Sequence, residues 1–217
     1  MSEQPVSMIP TRFSFIRFER YLLVAFFLVP AVVSALVFAR AGHFHGRYAT
    51  LPAFLFFSAL LAAALSHPTW RRGSALVERL YRGVPFLCFM VSIFFMSSLR
   101  IPPKTSPLLP DYVYHFSEYA ALGFLCVRMV AGDERESLRL GPFLWAFAFC
   151  LVYAGLDELH QSGVPTRTAS PKDFLVDIAG VLIGMLGYRL LSAGISGERE
   201  TSSGNAASAG ADPGRNR

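Results

Sequence analysis

Long apolar runs separated by short, Arg-rich polar joints make up most of this chain. The runs are Tyr21–Ala39, Leu51–Ser66, Val84–Leu99, Val113–Ala131, Gly141–Leu156 and Phe174–Leu191. A bilayer core about 30 Å thick takes about 17–25 helical residues, so each run reaches or nearly reaches a spanning length. Several hold only about 16 residues, and for these snorkelling ends or a locally thinned bilayer are expected. No sustained period-two alternation runs through them, which argues against a membrane β-barrel. The pattern predicts an all-α membrane protein of about six transmembrane helices in a compact helical bundle. Ala39-Arg40-Ala41 has the form of a signal-peptide cleavage site. The apolar run before it is longer than the usual core of about 7–15 residues, so it is read as an uncleaved anchor.

Composition agrees with the pattern. Hydrophobic residues make up 53% of the chain and charged residues 16%, against about 25% charged in ordinary soluble domains. A disordered chain is excluded. The net charge of +5 sits in short clusters between apolar runs, so a nucleic-acid binder built on a basic surface is excluded too. Cys88, Cys126 and Cys150 lie inside apolar runs, are odd in number and form no C-x-x-C. Neither a disulfide framework nor a cysteine metal site is expected. Of the 20 Lys and Arg residues, 14 fall on the joints of one side and 6 on the other. The positive-inside rule then places both termini in the cytoplasm of a cell-membrane protein. The chain divides into a basic N-terminus (1–20), two spans with their loops (21–83), a four-helix domain (84–191) and a Gly/Ser/Ala-rich tail (192–217). The tail is expected to be disordered.

The few remaining charges carry the functional signal. Six of the fifteen acidic residues, Asp111, Glu118, Asp157, Glu158, Asp173 and Asp177, fall near the outer ends of the last three spans. His115, His160, Gln161 and Arg167 join them. Asp111, His115 and Glu118 or Tyr119 share one helical stripe, and Tyr153, Asp157 and Gln161 another. Asp173, Asp177, Gly180 and Gly184 make a third, in which G-x-x-x-G permits close helix approach. Ionisable groups at membrane depth are costly, and they usually face a partner or a wet cavity.

Structural roles compete with functional ones at several positions. Asp111 could N-cap its helix. Ser170-Pro171-Lys172-Asp173 reads as a capping box with proline at the first helical position. Glu158, His160 and Lys172 could be wet rim residues, and Arg167 could only neutralise nearby carboxylates. Ser97 and Ser98 read as interfacial polar residues, and His43, His45 and His67 as solvated. His115, Glu118 and Asp177 sit inside apolar runs and fit a structural role less well.

In order along the chain these residues resemble a family. Asp111, His115, Phe116 and Tyr119 give D-x-x-x-H-F-x-x-Y, followed by Leu122-Gly123-Phe124; Asp157, Glu158 and Gln161 give D-E-x-x-Q. Val164-Pro165-Thr166-Arg167-Thr168-Ala169-Ser170 follows, with Asp173, Asp177, Gly180 and Gly184. The set resembles the VanZ-like membrane family over residues 84–191, with the first two spans outside it. Tyr112 stands where the family commonly has Lys, Thr166 where it often has Gly, and Asp177 where it often has Asn. The family's namesake is an accessory determinant of teicoplanin resistance. The resemblance implies a compact helical membrane domain with an envelope role, and supplies no reaction.

The residue types suit an outward-facing pocket for an envelope lipid or cell-wall precursor. Carboxylates and imidazole could hold a divalent metal, and Arg167 a phosphate or pyrophosphate. His115, Glu118, Asp157 and Glu158 are the catalytic candidates, with His115 or Glu118 as general base. Asp111, Tyr119, Gln161, Arg167, Asp173 and Asp177 are the binding candidates. No H-E-x-x-H, G-x-S-x-G or phosphate-loop motif accompanies them. A non-catalytic accessory protein with a structural polar network is the alternative, and a small proton-coupled transporter a third.

Overall fold

A computed structural model describes residues 12–40, 42, 47–66, 75–99, 110–131, 139–165, 167 and 169–209, with side chains over 20–40, 42, 48–66, 75–99, 110–131, 139–165, 167 and 169–193. Among the described residues the regular elements are all helices: α1 (Arg12–Arg40), α2 (Arg47–Leu65), α3 (Ala75–Ser98), α4 (Asp111–Val130), α5 (Leu140–Ser162) and α6 (Pro171–Ala209). Apolar segments in lipid must satisfy their backbone groups internally, and helices do so. Five of them, all but α4, hold stretches long and apolar enough to cross a membrane. Residues 1–11, His43, His45, His67 and residues 210–217 lie outside the described set, as do the side chains beyond 193; the tail expected to be disordered from residue 192 is helical as far as Ala209.

The helices outrun their apolar cores. α3 has 24 residues and α5 has 23, longer than their apolar runs of about 16. α3 begins in a polar turn where Glu78 pairs with Arg82 at 2.9 Å, an i, i+4 pair that supports helix beyond the membrane-like stretch. α5 runs on through Asp157–Ser162, where Gln161 Nε2 donates to Asp157 Oδ2 at 2.9 Å.

α4 also has a spanning length, but Asp111, His115, Glu118 and Arg128 make it more polar than the rest. Its position resolves the conflict. From Ala121 to Arg128 every residue is buried, so protein rather than lipid surrounds this part of the helix. Phe124 packs edge-on against Phe26 of α1 and Tyr188 of α6. The outer helices turn Leu28 and Val32, Trp145 and Val152, and Ile183 and Leu190 outward, as a lipid-facing surface requires.

The α4–α6 pair is the most intimate in the bundle. Gly180 and Gly184 lie directly against the backbone of Phe116 and Ala120, and Gly123 against that of Val181; a β-carbon at any of the three would overlap backbone atoms. The glycine pair therefore acts as the close-approach motif its spacing implies.

The expected caps divide. Pro110, not Asp111, holds the N-cap position of α4, with no side-chain cap. Val113 N–H already bonds back to Pro110 O at 2.9 Å, so the first turn closes one residue early and Asp111 is the first helical residue. At α6, Asp173 N–H reaches Ser170 Oγ at 3.4 Å, one arm of the capping box. The other arm is replaced: Ser170 N–H donates to Glu158 Oε2 of α5 at 2.8 Å.

Candidate functional site

The polar ends of α3, α4, α5 and α6 meet at one end of the bundle, because successive helices run antiparallel. Asp157 is the centre of the meeting. Its Oδ1 accepts from Ser97 Oγ of α3. Its Oδ2 accepts from the Tyr119 hydroxyl of α4 at 3.2 Å and from Gln161 Nε2 at 2.9 Å. Three helices thus share one buried carboxylate, and its acceptor capacity is largely used. That arrangement suits holding the helices in register more than exchanging a proton.

His115 lies one helical turn into α4. Its Nδ1 is 3.1 Å from Asp177 Oδ1 of α6, and its Nε2 is 3.9 Å from Asp111 Oδ2, beyond hydrogen-bond reach. Asp177 is fully buried, and the approach of α6 at Gly180 and Gly184 brings it there. Glu158 is also buried rather than a wet rim residue, and it spends one oxygen on the Ser170 amide. His160 is half-buried, 2.9 Å from Ser98 Oγ and packed on the Phe94 ring. Lys172 stays exposed, over the Tyr112 ring.

Beside this network is a cavity of about 550 Å³. Its polar end is lined by Asp111, His115, Glu118, Asp157, Gln161 and Arg167. Tyr119, Glu158, Asp173 and Asp177 do not line it; they stand behind those that do. Glu118 is half-buried and makes no hydrogen bond among the described residues. Arg167 Nη2 donates to Met96 O at 3.3 Å, and its buried Nε has no partner among the described residues. Among the described residues the Arg167 side chain hydrogen-bonds a backbone carbonyl and no carboxylate, while its charge still acts on nearby Glu118.

The other wall is apolar and comes from earlier in the chain. Val29, Val33, Val37 and Phe38 of α1 face Phe89, Ile93 and Met96 of α3. From Val29 to Phe38 the wall runs about 14 Å at 1.5 Å per residue. Val29 and Ser117 are exposed as well as lining, so the cavity opens at the surface between α1 and α4. Sequence reasoning missed this wall, since apolar α1 residues carry no mark distinguishing cavity from lipid. It also read Ser97 as interfacial, although its place at the end of an apolar run beside a polar cluster was the available signal.

A second polar contact lies at the opposite end of α4. Arg128 is 1% exposed, and its Nη1 donates to Tyr81 O at 3.0 Å and Arg82 O at 3.2 Å. Pro85 lies four residues after Tyr81 inside α3. Having no N–H, it leaves the Tyr81 carbonyl without its helical donor, and Arg128 supplies one.

No curated protein and no solved structure matches the chain. Residues 110–192 match the family model described as VanZ/LLP1. That is narrower than residues 84–191, since it begins with α4 and leaves α3 outside. The three helices carrying most of the polar cluster, α4 to α6, are therefore the part of the chain that is similar to the VanZ/LLP1 family, within a chain that has five helices long and apolar enough to cross a membrane.

Proposed function

We propose that the protein binds an amphiphilic envelope lipid or lipid-linked cell-wall precursor in this cavity, with the polar end facing outward and both termini in the cytoplasm. The observation that carries the reading is the two-sided cavity: an apolar wall from α1 and α3 leading to Arg167, His115 and Glu118. An acyl or prenyl chain suits the wall, and a phosphate suits the Arg167 guanidinium, whose Nε has no partner among the described residues. The opening between α1 and α4 gives lateral access from the bilayer. The 14-to-6 bias of Lys and Arg supports the orientation. His115 and Glu118 border the bound head group and are the residues placed for general base chemistry on it.

The test is lipid analysis of protein purified in mild detergent, by native mass spectrometry. A phosphate-bearing lipid should accompany the wild type, and Arg167→Ala should lower its occupancy about ten- to a hundredfold, the worth of a charge-assisted hydrogen bond of about 1.5–3 kcal/mol. Equal lipid content in both proteins, or none in either, rejects the reading. The accessory alternative draws on the Asp157 network, which joins three helices without needing a ligand. Transport is the weakest reading: along α4 about 13 Å separates Tyr119 from Arg128, with no ionisable residue except Cys126 between them.

A further inference from the structure

At the polar end of the cavity three side chains from three helices converge: His115 of α4, which lines it, and Glu158 of α5 and Asp177 of α6, which do not. One donor atom from each lies within 4.8 Å of the others. Both carboxylates are more than nine-tenths buried, Glu158 at 8% and Asp177 at 0% exposure. Each keeps one oxygen, Glu158 Oε1 and Asp177 Oδ2, with no hydrogen-bond partner among the described residues. Buried anionic oxygens without a donor are costly, and proteins keep them where a cation or proton meets them. The other oxygen of each is engaged, Glu158 Oε2 with Ser170 N–H and Asp177 Oδ1 with His115 Nδ1, so the group is held from several sides.

We propose that His115, Glu118's neighbour one turn nearer the helix start, joins Glu158 and Asp177 in binding one divalent cation of the zinc or manganese class. Two donor atoms each about 2.1 Å from an ion, at right angles, are about 3 Å apart; the Nδ1–Oδ1 separation of 3.1 Å fits two neighbouring ligands. Donors on opposite sides of such an ion would be about 4.2 Å apart, so the trio needs only slight contraction. Imidazole with two carboxylates favours zinc or manganese over calcium. The ligating imidazole carries its proton on Nε2, the nitrogen turned toward Asp111. The ion neutralises the two carboxylates and ties α4, α5 and α6 together at the floor of the cavity. None of this depends on what occupies the cavity. A second trio on the rim, Asp111, His115 and Asp173, uses the same imidazole, but Asp111 is exposed and no orphaned buried oxygen belongs to that group.

The test loads EDTA-treated, detergent-purified full-length protein with zinc alone or manganese alone. Bound metal is then counted by mass spectrometry after desalting, alongside the thermal midpoint. The expected result is one ion per chain for at least one of the two metals, with a raised midpoint. Asp177→Asn and Glu158→Gln should each lose at least nine-tenths of the bound metal, whereas Asp111→Asn and Asp173→Asn should keep it. E158Q retains a carbonyl oxygen for the Ser170 amide, so it tests the site even if D177N fails to accumulate. Wild type that holds neither metal overturns the proposal. So does retention by E158Q, or loss in D111N and D173N with retention in E158Q, which would place any ion on the rim. Lipid occupancy is measured separately, so failure of the cavity reading leaves this result legible.

Discussion

Pro85 and Arg128 should be energetically coupled although they lie on different helices. Pro85 removes the N–H that would bond Tyr81 O, and Arg128 Nη1 takes that place at 3.0 Å with its guanidinium carbon 4.2 Å from the Tyr81 ring centroid. Arg128→Met keeps an unbranched apolar stem and removes donors and charge. The Tyr81 carbonyl is then buried without its donor, at about 1–3 kcal/mol, and a desolvated cation–π contact of about 2 kcal/mol is lost. Relief of the buried guanidinium's desolvation offsets part of this. A net loss of about 2–3 kcal/mol is expected. In a Pro85→Ala background the helix recovers its own donor at residue 85, and the same Arg128→Met change should cost about 1–2 kcal/mol less. The assay is a double-mutant cycle on reversible SDS-induced unfolding in mixed micelles, followed by far-ultraviolet circular dichroism. Costs in the two backgrounds that agree within about 0.5 kcal/mol would refute the reasoning.

Other outcomes follow from the same packing. Asp157→Ala strips the acceptor from Ser97, Tyr119 and Gln161 and should cost about 2–4 kcal/mol in that unfolding assay; an unchanged midpoint would remove Asp157 from the centre of the network. Gly184→Ala places a β-carbon into the Ala120 carbonyl and should separate α4 from α6, with a loss above about 2 kcal/mol. Gly187→Ala meets nothing within 4 Å and should be neutral or stabilise by up to about 1 kcal/mol through helix propensity; comparable losses at both glycines would show that helix approach is not what Gly184 provides.

Much of this architecture could be read in the sequence because lipid imposes a simple rule on it. Apolar runs had to be helices, and alternating direction then had to bring Asp111, Asp157 and Asp173 to one end. The G-x-x-x-G spacing at Gly180 and Gly184 was legible for the same reason, since it needs only one helix to be recognised. Features that depend on two helices were not. Nothing in Val29 or Phe38 tells whether lipid or a cavity lies opposite. Pro85 announces a free carbonyl at Tyr81, but not that an arginine 43 positions later reaches it. Glu158 looked like a rim residue because it follows an apolar run; only the fold of the α5–α6 connection brings Ser170 over it. The ends of α3 and α5 were underestimated because hydropathy marks where lipid stops, whereas helix continues through polar turns such as Glu78–Arg82.

The cavity is assembled from two stretches of chain held by different kinds of contact. Its polar floor belongs to the VanZ-like helices, where Asp157, Gly180 and Gly184 are each locked by contacts to several neighbours. Its apolar wall on α1 is held by no such lattice of hydrogen bonds, and Val, Ile, Leu or Phe at positions 29, 33 and 37 would all remain compatible with a membrane helix. The bore can therefore be widened, narrowed or lengthened by changes on α1 alone, leaving the polar residues at its base untouched. A chimera that exchanges α1–α2 would alter what the cavity can fit while leaving the polar residues of α4 to α6 in place.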